Sequence, residues 1–170
     1  MHVTYSNGKS VGFGTIIRPE EAVLQPTVTF QTLSEDKAYT LMMFDADAEV
    51  PLVRHWTIAN IQGRDPTPAF NSNSPIHQYT PYHGPTPPEN TGYHRYIFTL
   101  FEQTQFSQVL RPVLDFPNQH RAFFNLTAFI NENQLKPVAA AYMLVTHQDG
   151  YEGEYKRINS GRFKSASAST

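Results

Sequence analysis

The side chains best suited to chemistry in this sequence are a carboxylate, two imidazoles and a phenol, at Asp45, His55, His94 and Tyr96. Histidine donates hydrogen bonds and carries a positive charge near neutral pH, and tyrosine adds a hydroxyl donor. An aspartate can orient a histidine through its second ring nitrogen and favour its charged form. These residue types together suit the binding of a small anion.

The first two of these residues stand at facing ends of two apolar runs. Asp45 follows the run 39–44, and His55 begins the run 55–61. If the two runs pair as antiparallel strands, the end of the first lies beside the start of the second. We therefore expect Asp45 and His55 to share one rim of a sheet.

A third run, 94–101, begins with the other two residues. The spacing of two between His94 and Tyr96 places both side chains on one face of a strand. If this strand begins at the same rim, all four side chains converge, and the Gly84-Pro85 loop leads to the same place.

Each candidate also has a structural interpretation. Asp45 and Asp47 could end a strand as turn residues, through bonds from their side chains to the backbone. Histidines at strand ends are often surface or capping residues. The pattern alone leaves these alternatives open.

Three neighbours of the candidate residues are expected to be structural. Trp56 is predicted to lie in the core. Arg95 alternates with His94, so it should face the other side of the strand and form an ion pair. Arg54 is predicted to be a solvated loop residue.

Composition removes several classes of function. The chain has 170 residues and a formal net charge of −2, which offers no broad basic surface for nucleic acid. No apolar stretch approaches the roughly 20 residues that a transmembrane helix needs. There is no cysteine, and the start of the sequence lacks a basic segment followed by an apolar one, so we expect a cytoplasmic protein.

No metal or cofactor site is indicated. The sequence contains neither a glycine-rich phosphate loop nor a G-x-S-x-G motif. Asp45, His55 and His94 could in principle hold zinc, but no H-x-x-x-H or similar spacing supports this. We expect neither a metal nor a cofactor.

Short strands dominate the predicted secondary structure. Residues 3–5 and 11–13 flank Asn7-Gly8, which predicts a hairpin. One helix is predicted over about 119–133 with Asn118 as its N-cap. Residues 62–92 are irregular and rich in proline. Further strands are predicted at 27–30, 39–44, 55–61, 94–101 and 137–145.

This pattern indicates a mostly β architecture. We expect an antiparallel β-sandwich of two sheets with one or two short helices. Without internal repeats or a second core, residues 1–157 are predicted to form a single domain. Tyr151, Tyr155 and Ile158 could form one helical turn, and the polar tail 158–170 is predicted to be frayed.

Two blocks of sequence resemble the signatures of the phosphatidylethanolamine-binding protein family, which includes the Raf kinase inhibitor proteins. The first block is a strand that leads into Asp-x-Asp, followed by a histidine that heads the next strand. The second, more specific block is a proline loop that leads into Gly-x-His-Arg-Tyr. The blocks read YTLMMFDADAE at 39–49, HWTIANI at 55–61, GPTPP at 84–88 and GYHRYIF at 92–98.

The resemblance covers roughly residues 2–146. It implies a β-sandwich with a small cavity at one end that binds phosphate or a phospholipid head group, lined by Asp45, His55, Pro85, His94 and Tyr96. It also implies a regulatory role toward a protein partner such as a kinase or a protease.

Two residues depart from the first signature. Ala46 and Glu49 replace the two prolines of the family pattern Asp-Pro-Asp-x-Pro. A carboxylate at Glu49 near an anion pocket would weaken phosphate binding or alter the choice of ligand.

Catalysis is the alternative function. Some proteins similar to this family serve fungal natural-product pathways and act on anionic polyketide-type substrates. In a cyclase, condensing or lyase-type enzyme of this kind, His55 or His94 would act as general acid or base. Asp45 would orient the imidazole, and Tyr96 would stabilise a developing oxyanion.

Overall fold

The computed structural model describes residues 1–31, 34–50, 52–63, 76–111 and 121–151. These residues form nine strands, one α-helix and one short 3-10 helix at Pro19–Ala22. The strands are β1 His2–Thr4, β2 Ser10–Val11, β3 Phe13–Ile16, β4 Thr27–Thr29, β5 Ala38–Asp45, β6 Val53–Gln62, β7 His77–Thr80, β8 His94–Glu102 and β9 Lys136–Val145, and helix α1 is Leu126–Asn133.

The strands form two sheets. The smaller has the order β2-β1-β4, and the larger has the order β3-β9-β8-β5-β6-β7. Neighbouring strands are antiparallel, except that β3 runs parallel to β9 at the edge of the larger sheet. The predicted mostly β fold of two sheets is confirmed, with this one parallel pair as an addition.

The centre of the larger sheet, at β5 and β6, is buried on both faces. Leu41 and Met43 of β5 belong to the core that also contains Val3 and Val28 of the smaller sheet. Met42 alternates with them and packs on the other face, in a cluster that includes Phe124 and Phe129. Burial on both faces explains why β5 reads as a continuous apolar run.

The predicted N-terminal hairpin is present, since β1 and β2 pair antiparallel with Val3 opposite Val11. Trp56 is fully buried, as predicted. Arg54 is a correction: it lies in β6, is 5% exposed, and its guanidinium carbon lies 4.8 Å from the centre of the Phe124 ring. A guanidinium that stacks on an aromatic face is stable when buried. The sequence prediction missed this because β6 has no alternation of buried and exposed positions that would place Arg54 inside.

Helix α1 begins later than predicted, at Leu126 rather than near 119. The backbone at 121–124 pairs with the start of β6 instead: Arg54 N donates to Arg121 O at 2.7 Å, and Phe124 N donates to Leu52 O at 3.1 Å. The N-cap is Asn125, whose side chain accepts from Ala128 N at 2.9 Å. Tertiary pairing has replaced the first turns of the predicted helix.

Several predictions lie outside the described residues. They concern Asn118 as a cap, the tail at 158–170, the helical turn that would need Tyr155 and Ile158, and residues 64–75 of the stretch 62–92 that was predicted to be irregular. In the described part of that stretch the prediction missed strand β7 at His77–Thr80. Among the helices that the structure describes, none has the length and apolar content to cross a membrane.

Candidate functional site

Strand register brings the predicted rim together. Asp45 is the last residue of β5, and it lies opposite Tyr96 near the start of β8 and opposite Val53 at the start of β6. His94 is the first residue of β8. The end of β5 therefore meets the starts of β6 and β8, as the sequence predicted.

A buried ion pair joins two of these strand ends. His94 Nδ1 lies 2.8 Å from Asp45 Oδ2, and the residues are 1% and 2% exposed. The other oxygen, Asp45 Oδ1, accepts from the backbone nitrogen of Asp47 at 2.9 Å. Both carboxylate oxygens are thus engaged, which fixes the orientation of the histidine ring.

The charge of His94 follows from these neighbours. Burial by itself lowers the pKa of His94, but the hydrogen bond and the negative charge of Asp45, with smaller contributions from Asp47 and Glu49, outweigh it and raise the pKa. The imidazolium form is favoured because its counter-charge is in contact.

The second aspartate has a different partner. Asp47 accepts three hydrogen bonds from Arg95: from the backbone nitrogen at 2.8 Å, from Nε at 2.8 Å and from Nη2 at 2.7 Å. The side-chain bond from Arg95 is the main reason why the pKa of Asp47 is lowered. Arg95 faces away from His94 in an ion pair, as predicted, and Asp47 stays outside the buried pair.

His55 reaches the rim through an irregularity in β6. Met43 of β5 pairs with Trp56, and Phe44 pairs with Arg54, so His55 is an extra residue in its strand. Its ring packs edge-on against Tyr96, with centroids 5.0 Å apart and an interplanar angle of 83°. The bulge thus directs the imidazole toward the residues that β8 supplies.

Backbone groups hold His55 in place. Its Nδ1 lies 3.0 Å from His83 O, and its own carbonyl accepts from His83 N at 3.0 Å and from Arg121 Nη1 at 2.8 Å. Burial lowers the pKa of His55 to about 4. The ring is neutral near pH 7, and because Nδ1 faces a carbonyl oxygen, the proton is on Nδ1 and Nε2 carries the lone pair.

Pro85 stands beside this group. It is buried and lines a cleft of about 360 Å³, together with His83, Gly84 and Tyr151. The lining of this cleft does not include Asp45, His94 or Tyr96. The structure therefore brings four predicted residues together in a nearly closed group and sets the fifth in the wall of an adjoining cleft.

Comparison with known proteins agrees with this architecture. The family model described as phosphatidylethanolamine-binding protein matches residues 5–146. The chain belongs to this family.

Two relatives and one solved structure illustrate the similarity. CEN-like protein 4 of Nicotiana tabacum is 32% identical over 149 residues, which are 84% of this chain and 78% of that protein. A 26 kDa secreted antigen of Toxocara canis is 29% identical over 142 residues, 78% of this chain but only 50% of that protein. The phosphatidylethanolamine-binding protein from Plasmodium vivax has the same fold, with a TM-score of 0.73, 22% identity and coverage of 86% and 84% of the two chains.

The departures from the family signature have visible consequences. Ala46 N donates to Arg95 O at 3.0 Å, a bond that the proline of the family pattern could not make because it lacks an N–H. The charge of Glu49 helps to raise the pKa of His94. Glu49 thus favours the cation at His94 while it adds negative charge near the rim.

Three contacts of this phosphatidylethanolamine-binding protein family member escaped the sequence prediction. The backbone of His83 bonds to His55, and the side chain of Arg121 donates to the carbonyl of His55. Because each contact involves a backbone group, no pattern of side chains in the sequence predicts it. Thr91 Oγ1 lies 2.8 Å from His94 Nε2. Thr91 could have been considered from its place three residues before His94, between the proline loop and the Gly-x-His-Arg-Tyr stretch of the second signature.

A second cleft lies elsewhere. It measures about 630 Å³ and lies among residues 104–111 and 132–134, beyond the far end of β8. Polar groups there tie the loop to the end of α1: Gln108 Nε2 donates to Asn133 O at 2.6 Å, and Arg111 N donates to Asn133 Oδ1 at 2.6 Å. Within the part of the chain that the structure describes, no three His, Cys, Asp or Glu side chains form a group that could hold a metal ion.

Proposed function

We propose that this protein binds a small phosphate-like anion, either free or as the head group of a phospholipid. The binding site is the rim formed by Asp45, His55, His94 and Tyr96, with Pro85 at its edge. The observation that carries the proposal is the buried contact of 2.8 Å between His94 and Asp45.

This contact polarises the histidine. Asp45 engages Nδ1, so the Nε2 side is the positive end of the pair. A carboxylate on one ring nitrogen keeps the ring protonated and correctly oriented for an anion on the other side. Tyr96 would add a hydroxyl donor beside it.

His55 narrows the class of ligand. As a neutral ring with its proton on Nδ1, it offers the Nε2 lone pair as an acceptor. It therefore suits a ligand that also donates a proton, such as hydrogen phosphate, a phosphate monoester or a phosphorylated amine. Sulfate has the same shape and charge but no donor at neutral pH.

The test is an NMR titration that follows the ring signals of both histidines. Inorganic phosphate or phosphoethanolamine should shift the signals of His55 and His94, and sulfate should bind about tenfold or more weakly because it leaves one buried acceptor unpaired. If millimolar phosphate shifts neither ring, the proposal is wrong. If sulfate binds as tightly as phosphate, the role assigned to His55 is wrong.

A second arm of the test distinguishes the two sources of the phosphate group. Vesicles of phosphatidylcholine that contain phosphatidylethanolamine should retain the protein on sedimentation if it takes the head group. A ligand shift with phosphoethanolamine, without retention on vesicles, would indicate the free anion.

The low pKa of His55 argues against this residue as a general base. A general base works best when its pKa lies near the operating pH, whereas the pKa of His55 is about 4. A candidate polyketide-type substrate would test the alternative. Turnover that disappears in both His55→Ala and His94→Ala would favour the enzyme.

The proposal extends to a protein partner and a compartment. Family membership, rather than the geometry of the rim, supports a regulatory role toward a kinase or a protease. We propose a cytoplasmic location, which agrees with the absence of cysteine. The description of the Toxocara canis relative as a secreted antigen makes export the alternative, which cell fractionation would test.

A further inference from the structure

The hydroxyl of Thr91 lies against Nε2 of His94, the ring nitrogen that does not face Asp45. Thr91 Oγ1 donates its single proton to Pro88 O, at 2.7 Å. The same oxygen lies 2.8 Å from His94 Nε2. Since the hydroxyl has no second proton, it accepts this bond and Nε2–H donates it.

Both N–H groups of His94 are therefore used within the protein. Nδ1–H faces Asp45, and Nε2–H faces Thr91. An anion that binds His94 needs one of these two donors. The side toward Asp45 is closed, because that carboxylate is 2% exposed and engaged through both oxygens. An anion can therefore compete only for Nε2–H, the donor that Thr91 now accepts from.

We propose that Thr91 gates the anion site, so that a ligand binds His94 only by displacing the Thr91 hydroxyl from Nε2. This inference rests on the proposed function and adds the residue that controls access and affinity. Burial is consistent with it: His94 and Tyr96 are each 1% exposed in this closed arrangement.

The histidine is held more firmly than the threonine. Arg95, the next residue along the chain, is bound to Asp47 through its backbone and its guanidinium. Its carbonyl also accepts from Ala46 N at 3.0 Å. These bonds anchor the start of β8, so the ligand would move the loop before it rather than the strand.

The loop around Thr91 can move at little cost in buried surface. Glu89, Asn90, Gly92 and Tyr93 are exposed, and Thr91 alone among these five residues is partly buried. Asn90 and Gly92 have positive φ angles of 65° and 78°, backbone conformations that these two residue types adopt readily. Displacing Thr91 removes one hydrogen bond to His94 and uncovers little apolar surface.

The experiment compares phosphate affinity in wild-type protein, Thr91→Ala and Thr91→Ser. Thr91→Ala removes the competing acceptor, so phosphate should bind about three- to tenfold more tightly, the range expected for loss of one internal hydrogen bond. Thr91→Ser keeps the hydroxyl and should bind within about twofold of wild type. The dissociation constants come from the shift of the His94 ring signals.

The outcomes distinguish a failure of the Thr91 gate from a failure of the anion site. Phosphate binding to wild type with equal or weaker binding to Thr91→Ala would overturn the gate and leave the anion site standing. No binding to any of the three proteins would overturn both proposals. Tighter binding to Thr91→Ala and to Thr91→Ser alike would also overturn the gate, because the hydroxyl would then not be the competitor.

The gate can also be tested in the wild-type protein alone. If Thr91 leaves Nε2 when phosphate binds, the signal of the Thr91 methyl group must shift along the same titration curve as the His94 ring. Shifted His94 signals with an unchanged Thr91 methyl signal would overturn the gate.

Discussion

Asp45 and His94 lie 49 positions apart in the sequence and meet at 2.8 Å because β5 and β8 are antiparallel neighbours. Asp45 ends its strand, and His94 begins the other. The contact thus depends on strand register rather than on any local motif. It places a charged pair, nearly without exposure, at the rim of the larger sheet.

Replacing Asp45 by Asn should lower both the pKa of His94 and the stability of the protein. The carboxylate favours the imidazolium, so its loss returns the ring to the influence of burial, which lowers the pKa. Loss of a hydrogen bond between charged partners should reduce the free energy of unfolding by about 1.5–3 kcal/mol. NMR titration of His94 and urea denaturation measure the two effects.

Asp149→Asn is the matched control, since Asp149 also pairs with a histidine, His147, at 3.1 Å but its side chain is 99% exposed. Its effect on stability should stay within about 0.5 kcal/mol. A His94 pKa that is unchanged in Asp45→Asn would contradict the ion pair.

His55 should make the protein sensitive to mild acid. Its pKa falls from 6.5 to about 4 on folding, so between these values the unfolded chain binds more protons than the folded one. The contribution of His55 to stability is therefore complete above pH 6.5 and is lost as the pH falls toward 4. A difference of this size corresponds to about 3 kcal/mol.

His55→Asn tests this contribution, because its amide can still donate to the carbonyl of His83. The variant should lose less stability than wild type when urea denaturation is repeated from neutral pH down to pH 4. In His77→Asn, at an exposed histidine of β7, the free energy of unfolding should fall with pH as steeply as in wild type. Equal slopes in wild type and His55→Asn would show that His55 is not buried in its neutral form.

The sequence was sufficient to predict the strands that carry the rim and the meeting of their ends. Each of the runs 39–44, 55–61 and 94–101 lies within an observed strand. Antiparallel pairing then brings Asp45 beside Tyr96, as expected from strand ends. Physical reasoning succeeds here because runs of six to eight residues are too short for most helices and these are rich in aromatic and β-branched residues, which favour strands.

The details of the site could not be predicted because they depend on irregular register and on distant backbone. A period-two pattern gives no sign of the extra residue at His55. The carbonyl of His83 and the guanidinium of Arg121 hold that residue from other parts of the chain. The start of α1 was misjudged for a similar reason, since residues 121–124 pair with β6 before the helix begins.

The observed start of the helix leads to a test of its own. Asn125→Ala removes the side chain that accepts from Ala128 N at 2.9 Å, so the free energy of unfolding should fall by about 1 kcal/mol. Asn131→Ala, at an exposed position inside α1, should leave stability unchanged or raise it slightly, since alanine is the better helix former. Equal losses in the two variants would argue against Asn125 as the cap.

A buried polar network at the far end of β8 gives the last prediction. Gln103 is 1% exposed; its Oε1 accepts from Thr40 Oγ1 at 3.0 Å and from Asn60 N at 2.8 Å, and its Nε2 donates to Asn60 Oδ1 at 2.8 Å. Gln103→Leu leaves two buried donors without their acceptor. The free energy of unfolding should fall by about 3 kcal/mol.

The control for this network is Gln105→Leu, an exposed residue whose side chain should change stability by less than about 0.5 kcal/mol. Phosphate titration of His94 should be the same in both variants, because Gln103 and His94 lie near opposite ends of β8. A loss for Gln103→Leu as small as that for Gln105→Leu would mean that the donors of Thr40 and Asn60 find other acceptors. The network would then fix the strand register at Asn60, where φ is 61°, and would add little to the free energy of unfolding.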